Sequence, residues 1–218
     1  MDDVLSPSDS ATRRLNRLNL VAASSFTLGG TLFAIGAALA QLDTTSLTTV
    51  NVTYLVGGVF FSLGGYASVV FASRHTRAWR SAVVLFVGTL FFAVSLVAAF
   101  AEGLTPRQSD GWIWFPDITG CVCFLVSGHL ALLDVGDGRI RVRTGVLGWW
   151  VVVVNQVGSI LFFLAGIAAF TRPATDEAIN IGLVNWGTFA GAICFAVGGV
   201  IQAIDTSPST GTVGPTTP

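Results

Sequence analysis

Charged residues are scarce in this chain, and lysine does not occur at all. Of the 218 residues, 11% are charged, all eleven basic residues are arginine, and the formal net charge is -1. Soluble domains usually carry about 25% charged residues, so the composition excludes an ordinary soluble domain. A net charge this close to zero also predicts no nucleic-acid partner.

Cysteine and histidine are equally rare. The three cysteines, Cys121, Cys123 and Cys194, lie inside apolar stretches and do not form a disulfide framework of the kind that small secreted domains use. The sequence contains no Ser/His/Asp, Cys/His or HExxH arrangement and no GxGxxG fingerprint. We therefore predict no catalytic residue, no cofactor and no metal site, and a protein that is not an enzyme.

Long apolar runs fill most of the chain. Apolar residues make up 52% of the sequence, and the mean hydropathy is +0.73. A helix needs about 20 apolar residues to cross a bilayer. Six runs meet that length, at 18–40, 50–72, 81–101, 112–133, 146–170 and 179–204. The sequence predicts an all-α polytopic membrane protein with six transmembrane helices.

Each run carries the same stripe: a Gly, a Phe four residues later and a small residue three further on. The triplets are Gly29, Phe33, Gly36; Gly57, Phe61, Gly64; Gly88, Phe92, Ser95; Gly120, Phe124, Ser127; Gly158, Phe162, Ala165; and Gly191, Phe195, Gly198. Positions i, i+4 and i+7 share one helix face. Small residues on one face let membrane helices approach closely, so we predict that the stripes pack helix against helix.

The repeated unit is a pair of helices. Runs three and five both end in Ala-Ala-Phe at the same offset from their Gly, and runs four and six share Cys-Phe and an Asp fourteen residues after their Gly. We predict three parallel hairpins, a divergent one at 18–79 and two others at 80–134 and 146–205, between flexible tails at 1–17 and 206–218. This parallel arrangement differs from the inverted repeats of many transporters.

Arginine placement predicts the orientation. Nine of the eleven arginines precede run one, lie between runs two and three, or lie between runs four and five. The positive-inside rule puts that side in the cytoplasm, so both termini are expected there and the protein in the cell membrane.

Run one also resembles a secretory signal, because Ala38-Leu39-Ala40 follows arginines and an apolar stretch. The run is longer than a usual signal core of about 7–15 residues, and it carries the common stripe. We expect it to be retained.

Polar residues inside the runs are the candidate functional positions. Asp117 follows Pro116 near the start of run four, where it caps the helix or forms an outward-facing cation or proton site. Asn155 and Gln156 lie deep in run five and Asn185 lies in run six. These amides either form interhelical hydrogen bonds or line a polar pathway.

Asp134 and Asp205 occur at equivalent offsets at the cytoplasmic ends of runs four and six. A carboxylate opposes the dipole at a helix C-terminus, so helix stability does not explain them. One hypothesis is ion pairing with Arg74, Arg77 or Arg80. The other is a carboxylate pair that binds a cation.

Two segments resemble a known family. They read WWVVVVNQVGSILFFLAGIAAF and NIGLVNWGTFAGAICFAVGGVIQAID, and they are similar to the YrhK-like domain, a bacterial two-span membrane domain. The matching positions are Asn155, Gly158, Ser159, Phe162, Asn185, Gly187, Thr188, Phe189, Gly191, Cys194, Phe195 and Gly198. Residues 112–134 resemble the second helix of that pattern, with Asp117 in place of an amide. The resemblance implies a bacterial integral membrane protein and supplies no activity.

The arrangement of six spans in three Gly-rich hairpins also resembles the HdeD-like acid-resistance membrane proteins, whose usual helix-end Pro pattern is absent here.

Two functions are compatible with the sequence. The first is a non-enzymatic structural or partner-binding membrane component. The alternative is a small-solute or ion transporter or channel, with Asn155, Asn185 and the Asp134/Asp205 pair along the path. The bilayer is the expected partner, the Arg-rich loops are candidate sites for anionic lipid, and the small-residue stripes also allow an oligomer.

Overall fold

A computed structural model describes residues 7–43 and 45–205 of the chain. Its long helices are α1 (Pro7–Leu42), α2 (Leu47–Phe71), α3 (Arg77–Ala98), α5 (Phe115–Val135), α6 (Leu147–Ala168) and α7 (Ile181–Ile204). The short helix α4 (Pro106–Ser109) and a π-helical turn (Asp110–Trp114) lead into α5 without a break. A short antiparallel hairpin joins α6 to α7; its strands, β1 (Thr171–Arg172) and β2 (Glu177–Ala178), have two residues each.

Polar side chains begin several of the helices. Ser46, Thr76 and Asn180 each accept a hydrogen bond from a backbone N–H in the first turn of α2, α3 and α7. Thr105 and Gln108 form a reciprocal capping box at the start of α4. Such caps contribute about 0.5–2 kcal/mol each, and they set where the chain turns back into the helical bundle.

The long helices form a closed ring. Each packs on its neighbour along the chain, in the order α1, α2, α3, α5, α6, α7, and α7 returns to pack on α1. In the described part of the chain, six helical segments are long and apolar enough to cross a membrane. Their outward side chains include Val59, Leu63, Val94, Ile160 and Val197, all largely exposed. An apolar exterior of this extent is what a bilayer covers, so the fold is an all-α polytopic membrane protein.

One contact recurs in the three hairpins α1–α2, α3–α5 and α6–α7. The stripe glycine of each helix lies against the stripe phenylalanine of its partner helix. A Cβ atom placed on any of these glycines would lie 2.7–3.2 Å from that ring. The pairs are Gly29 with Phe61, Gly57 with Phe33, Gly88 with Phe124, Gly120 with Phe92, Gly158 with Phe195, and Gly191 with Phe162. The absence of a side chain on glycine is therefore what lets each ring fit between the helices.

The six stripe phenylalanines meet at the centre of the bundle. Their ring centroids lie 5.0–6.4 Å apart; four of the pairs are edge to face, three are tilted and one is stacked. We call this set (Phe33, Phe61, Phe92, Phe124, Phe162 and Phe195) the phenylalanine cluster. Aromatic pairs in such geometries add about 0.5–1.5 kcal/mol beyond the area they bury. The cluster is a dense apolar layer across the middle of the ring.

The third stripe residues also lie at helix contacts or in the bundle interior. Gly36 packs on Tyr54, Gly64 on Phe26, Ala165 beside Gly187, and Gly198 on Asn155. Ser127 exchanges hydrogen bonds with Ser81 of α3 at 2.8–3.0 Å, and Ser95 is buried.

Two sequence-based boundaries were wrong. Helix α1 begins at Pro7, so part of the segment predicted to be a flexible tail is helical. The fourth span is helical from Pro106 rather than from 112, because the π-helical turn continues the helix upstream of Pro116. The predicted tail at 206–218 lies outside the described residues.

The α1–α7 contact gives a test of the ring. A Cβ atom on Gly30 would lie 2.6 Å from the Ala192 carbonyl oxygen and 2.7 Å from the Ala196 amide nitrogen. Backbone atoms cannot move aside as a side chain can, and overpacking typically costs about 1–3 kcal/mol. We expect Gly30→Ala to lower the free energy of unfolding in detergent by about that amount.

Gly145→Ala is the matched control, because nothing lies within 4 Å of a Cβ atom at that exposed loop glycine. Thermal unfolding of both variants checks the expectation. Equal stability of the two variants would contradict the close packing of α1 on α7.

Candidate binding cavity

A cavity of about 250 Å³ lies inside the ring, on one side of the phenylalanine cluster. Its walls come from the ends of the helices opposite the Arg-rich loops: the first half of α2, α5 and α7 and the second half of α3 and α6. Five rings of the phenylalanine cluster form its floor: Phe33, Phe61, Phe92, Phe124 and Phe162. The cavity reaches the end of the bundle, where half-buried Ser109 and Thr171 line it.

Asp117 is the only charged residue among the described residues that line this cavity. Its carboxylate lies beside α6, where a Cβ atom on Gly166 would be 3.2 Å from Oδ2. No described residue forms a hydrogen bond or an ion pair with this carboxylate. A carboxylate inside a bundle is costly unless it is paired, so Asp117 is the most unusual group in the cavity.

The capping interpretation of Asp117 was wrong. Thr105 caps this helix, and the chain from Pro106 through the π-helical turn is already helical before Asp117. Because Asp117 lies well inside the helix, its backbone position gives it no terminal N–H groups to cap. The alternative interpretation, an outward-facing cation or proton site, stays a prediction.

The π-helical turn attaches this helix to α6 and β1 at the cavity mouth. Trp114 Nε1 donates a hydrogen bond to the Gly166 carbonyl at 2.8 Å, and its ring packs edge to face on Phe170. Asp110 Oδ1 accepts a hydrogen bond from the Thr171 amide at 3.0 Å. Single π turns are frequent at functional sites because they redirect side chains. Here the turn fixes the wall that carries Asp117.

Neutral polar groups complete the lining. Asn51 Nδ2 donates to the Ala99 carbonyl at 2.9 Å, which ties α2 to the end of α3. Tyr54, Ser95 and Thr188 also line the cavity. No Arg or His is among the described lining residues, and the nearby Arg172 side chain donates to the Ile179 carbonyl instead. The cavity therefore offers one negative charge, several neutral hydrogen-bonding groups and aromatic faces.

The sequence analysis missed Tyr54 and Thr188, although a signal for both was present. Tyr54, Asp117 and Thr188 each lie three residues before the stripe glycine of α2, α5 and α7, and all three line the cavity. Asn155 has the same offset in α6, but α6 runs in the opposite direction. A residue at this offset therefore lines the cavity only when it belongs to the second helix of a hairpin.

The deep amides lie elsewhere. Asn155 and Gln156 are on the Arg-rich side of the phenylalanine cluster, where their side-chain oxygens press on Gly198 and Gly128. These oxygens are buried and have no hydrogen-bond partner among the described residues, so the hydrogen bonds expected for them are absent there. Asn185 is buried in α7 next to Val184 but does not line the cavity.

Asp134 and Asp205 are not brought together as a carboxylate pair. Asp134 is exposed at the end of α5 and Asp205 follows α7 beside Gly148, and α6 lies between those two helices in the ring. The ion pair expected between Asp134 and Arg74, Arg77 or Arg80 is absent from the described residues. An ion pair at this end of the bundle joins Arg143 to Asp137.

The described residues contain no group of three or more His, Cys, Asp or Glu that could hold a metal ion. No protein-family model, curated protein or solved structure matches the chain. The resemblance to the YrhK-like domain therefore stays a prediction.

Solvent access to the cavity can be measured by thiol labelling. With the three native cysteines replaced by alanine, we expect Asn51→Cys to react with a charged, membrane-impermeant thiol reagent, because Asn51 lines the cavity. Thr89→Cys is the control: Thr89 is 1% exposed and lies outside the cavity. Mass spectrometry of the intact protein measures the modification. Equal protection of both positions would mean that water does not reach the cavity.

Proposed function

We propose that this protein binds a small organic cation in the cavity between the helix ends. Asp117 is the single observation that carries the proposal, because it is a lone carboxylate in a cavity whose other lining groups are uncharged. An ammonium ion would supply the partner that the carboxylate lacks. Charged groups inside a membrane bundle commonly mark a substrate or ion path.

The aromatic lining favours an organic ammonium over a metal ion. Tyr54, Trp114 and the floor of phenylalanine rings line the same cavity as the carboxylate. Ring faces attract cations, by about 0.5–2 kcal/mol each, and they also cover the methyl or methylene groups of an alkylated amine. A divalent metal ion instead requires several oxygen or nitrogen ligands, which a single carboxylate does not provide.

The cavity is proposed to face the outside of the cell membrane, with both termini in the cytoplasm. Nine of the eleven arginines lie at the other end of the bundle or before it, and the positive-inside rule assigns that end to the cytoplasm. A cation would then enter the cavity from the extracytoplasmic side.

Binding is a better-supported function than an open channel. The phenylalanine cluster lies between the cavity and the deep amides Asn155 and Gln156, so the polar groups expected to form one path are divided by a closed apolar layer. The proposed activity is non-enzymatic recognition of a cation, with a binding site open on one side. Passage of the cation across the membrane would require the cluster to rearrange.

The experiment is thermal unfolding in lipid nanodiscs with tetramethylammonium chloride. A ligand that binds only the folded state stabilises it by RT ln(1 + [L]/Kd), about 2.7 kcal/mol at a hundredfold excess over Kd. We expect a dose-dependent rise in Tm for the wild type and no rise for Asp117→Asn, because the amide carries no charge.

Two controls make the result specific. Asp134→Asn removes an exposed carboxylate at the other end of the bundle and should keep the full rise in Tm. Neutral alcohols that carry a neopentyl group resemble tetramethylammonium in shape but lack its charge, so they should give no rise in Tm. A rise in Tm that persists in Asp117→Asn would refute the proposed site, and no rise in the wild type would refute cation binding itself.

A further inference from the structure

A second depression lies on the lipid-facing side of the ring, between α2 and α3. It has a volume of about 340 Å³ and an almost wholly apolar lining that includes Leu55, Val59, Leu63, Phe86 and Leu90. We call it the α2–α3 groove. Val59 and Leu63 are about half exposed, so hydrocarbon chains of the bilayer have access to the groove.

The groove and the cavity share a wall. Among the described residues, Gly58 of α2 and Leu96 of α3 alone line both. A Cβ atom on Gly58 would lie 2.5 Å from Leu96 Cδ1, which means that the leucine side chain occupies the notch left by the glycine. One flexible side chain therefore separates the lipid side of the ring from its interior.

Two other interfaces between hairpins are closed differently. Between α5 and α6, Cys121 Sγ packs on Gly166 and donates to the Phe162 carbonyl, and Trp114 hydrogen-bonds to the Gly166 carbonyl. Between α7 and α1 the backbones themselves are in contact, at Gly30. Gly58 and Leu96 meet without a hydrogen bond or a backbone contact, so a change of the Leu96 rotamer can open the wall at this point, while Asn51 holds α2 to the Ala99 carbonyl nearer the helix ends.

We propose that the ligand is an amphiphilic amine whose ammonium group pairs with Asp117 and whose hydrocarbon tail passes Leu96 into the α2–α3 groove. The inference rests on the proposed cation site and adds the chemical class of the ligand and its route. The cavity holds the charged end, with its carboxylate and aromatic rings. The apolar groove, continuous with the bilayer, holds the tail. Leu96 is then a side gate, and the ligand enters from the membrane, where amphiphiles accumulate.

The test compares tetramethylammonium with octyltrimethylammonium, each displacing radiolabelled tetramethylammonium from the full chain in nanodiscs. The readout is the affinity for octyltrimethylammonium divided by the affinity for tetramethylammonium, and this ratio isolates the contribution of the tail. We expect octyltrimethylammonium to bind at least about tenfold more tightly to the wild type, because its tail gains apolar contact. Leu96→Trp should lower that ratio toward one, since the indole would block the passage.

Two further variants guard against misfolding and against simple partitioning of the tail into lipid. Val59→Trp fills the groove from its exposed side and should lower the ratio in the same way. Val197→Trp adds the same indole to the lipid-facing side of α7 and should keep the wild-type ratio.

The outcomes separate the two proposals. Absence of tetramethylammonium binding to the wild type would overturn the cation site and the inference that depends on it. Binding of tetramethylammonium with a ratio near one in the wild type, or a ratio kept in both Leu96→Trp and Val59→Trp, would overturn the tail route alone.

Discussion

The contact of a glycine on one helix with a phenylalanine on its partner is the interaction on which the rest of the structure depends. In hydrocarbon there is no water to drive helices together, so association rests on van der Waals packing and on what the backbones allow. Each of the three hairpins makes this contact in both directions. The same contact points each phenyl ring toward the centre of the bundle. The six phenylalanines therefore meet there, and the helices close around them.

The cavity follows from what lies on either side of that central layer. On the Arg-rich side, Phe26 packs on Gly64 and Asn155 on Gly198. On the other side, the facing positions include Ser95, Ala99, Ala165 and Ala169, whose short side chains leave room. Asp117 extends into that room.

The length of the apolar runs was sufficient to predict six helices, and the stripes predicted where helix packs against helix, because small residues on one face let membrane helices approach closely. These features were insufficient for the site. The helix start before Asp117 depends on a π-helical turn upstream of Pro116, and local propensity treats that proline as a start signal. Asp134 and Asp205 do share one offset from the stripe glycine, but α6 lies between their helices, α5 and α7, in the ring. Such relations belong to tertiary packing, and no window of the sequence contains them.

The position of Asp117 argues for a role beyond folding. Its neighbours Ile118 and Cys121 already pack on Gly166, and Trp114 already joins the same two helices by a hydrogen bond. The carboxylate adds no hydrogen bond to that interface, yet its charge opposes burial. At the same offset in α6 the residue is the uncharged Asn155. For the proposed function, the carboxylate gains its partner only when a cation binds, and the affinity of the site then comes from an interaction that the empty bundle lacks.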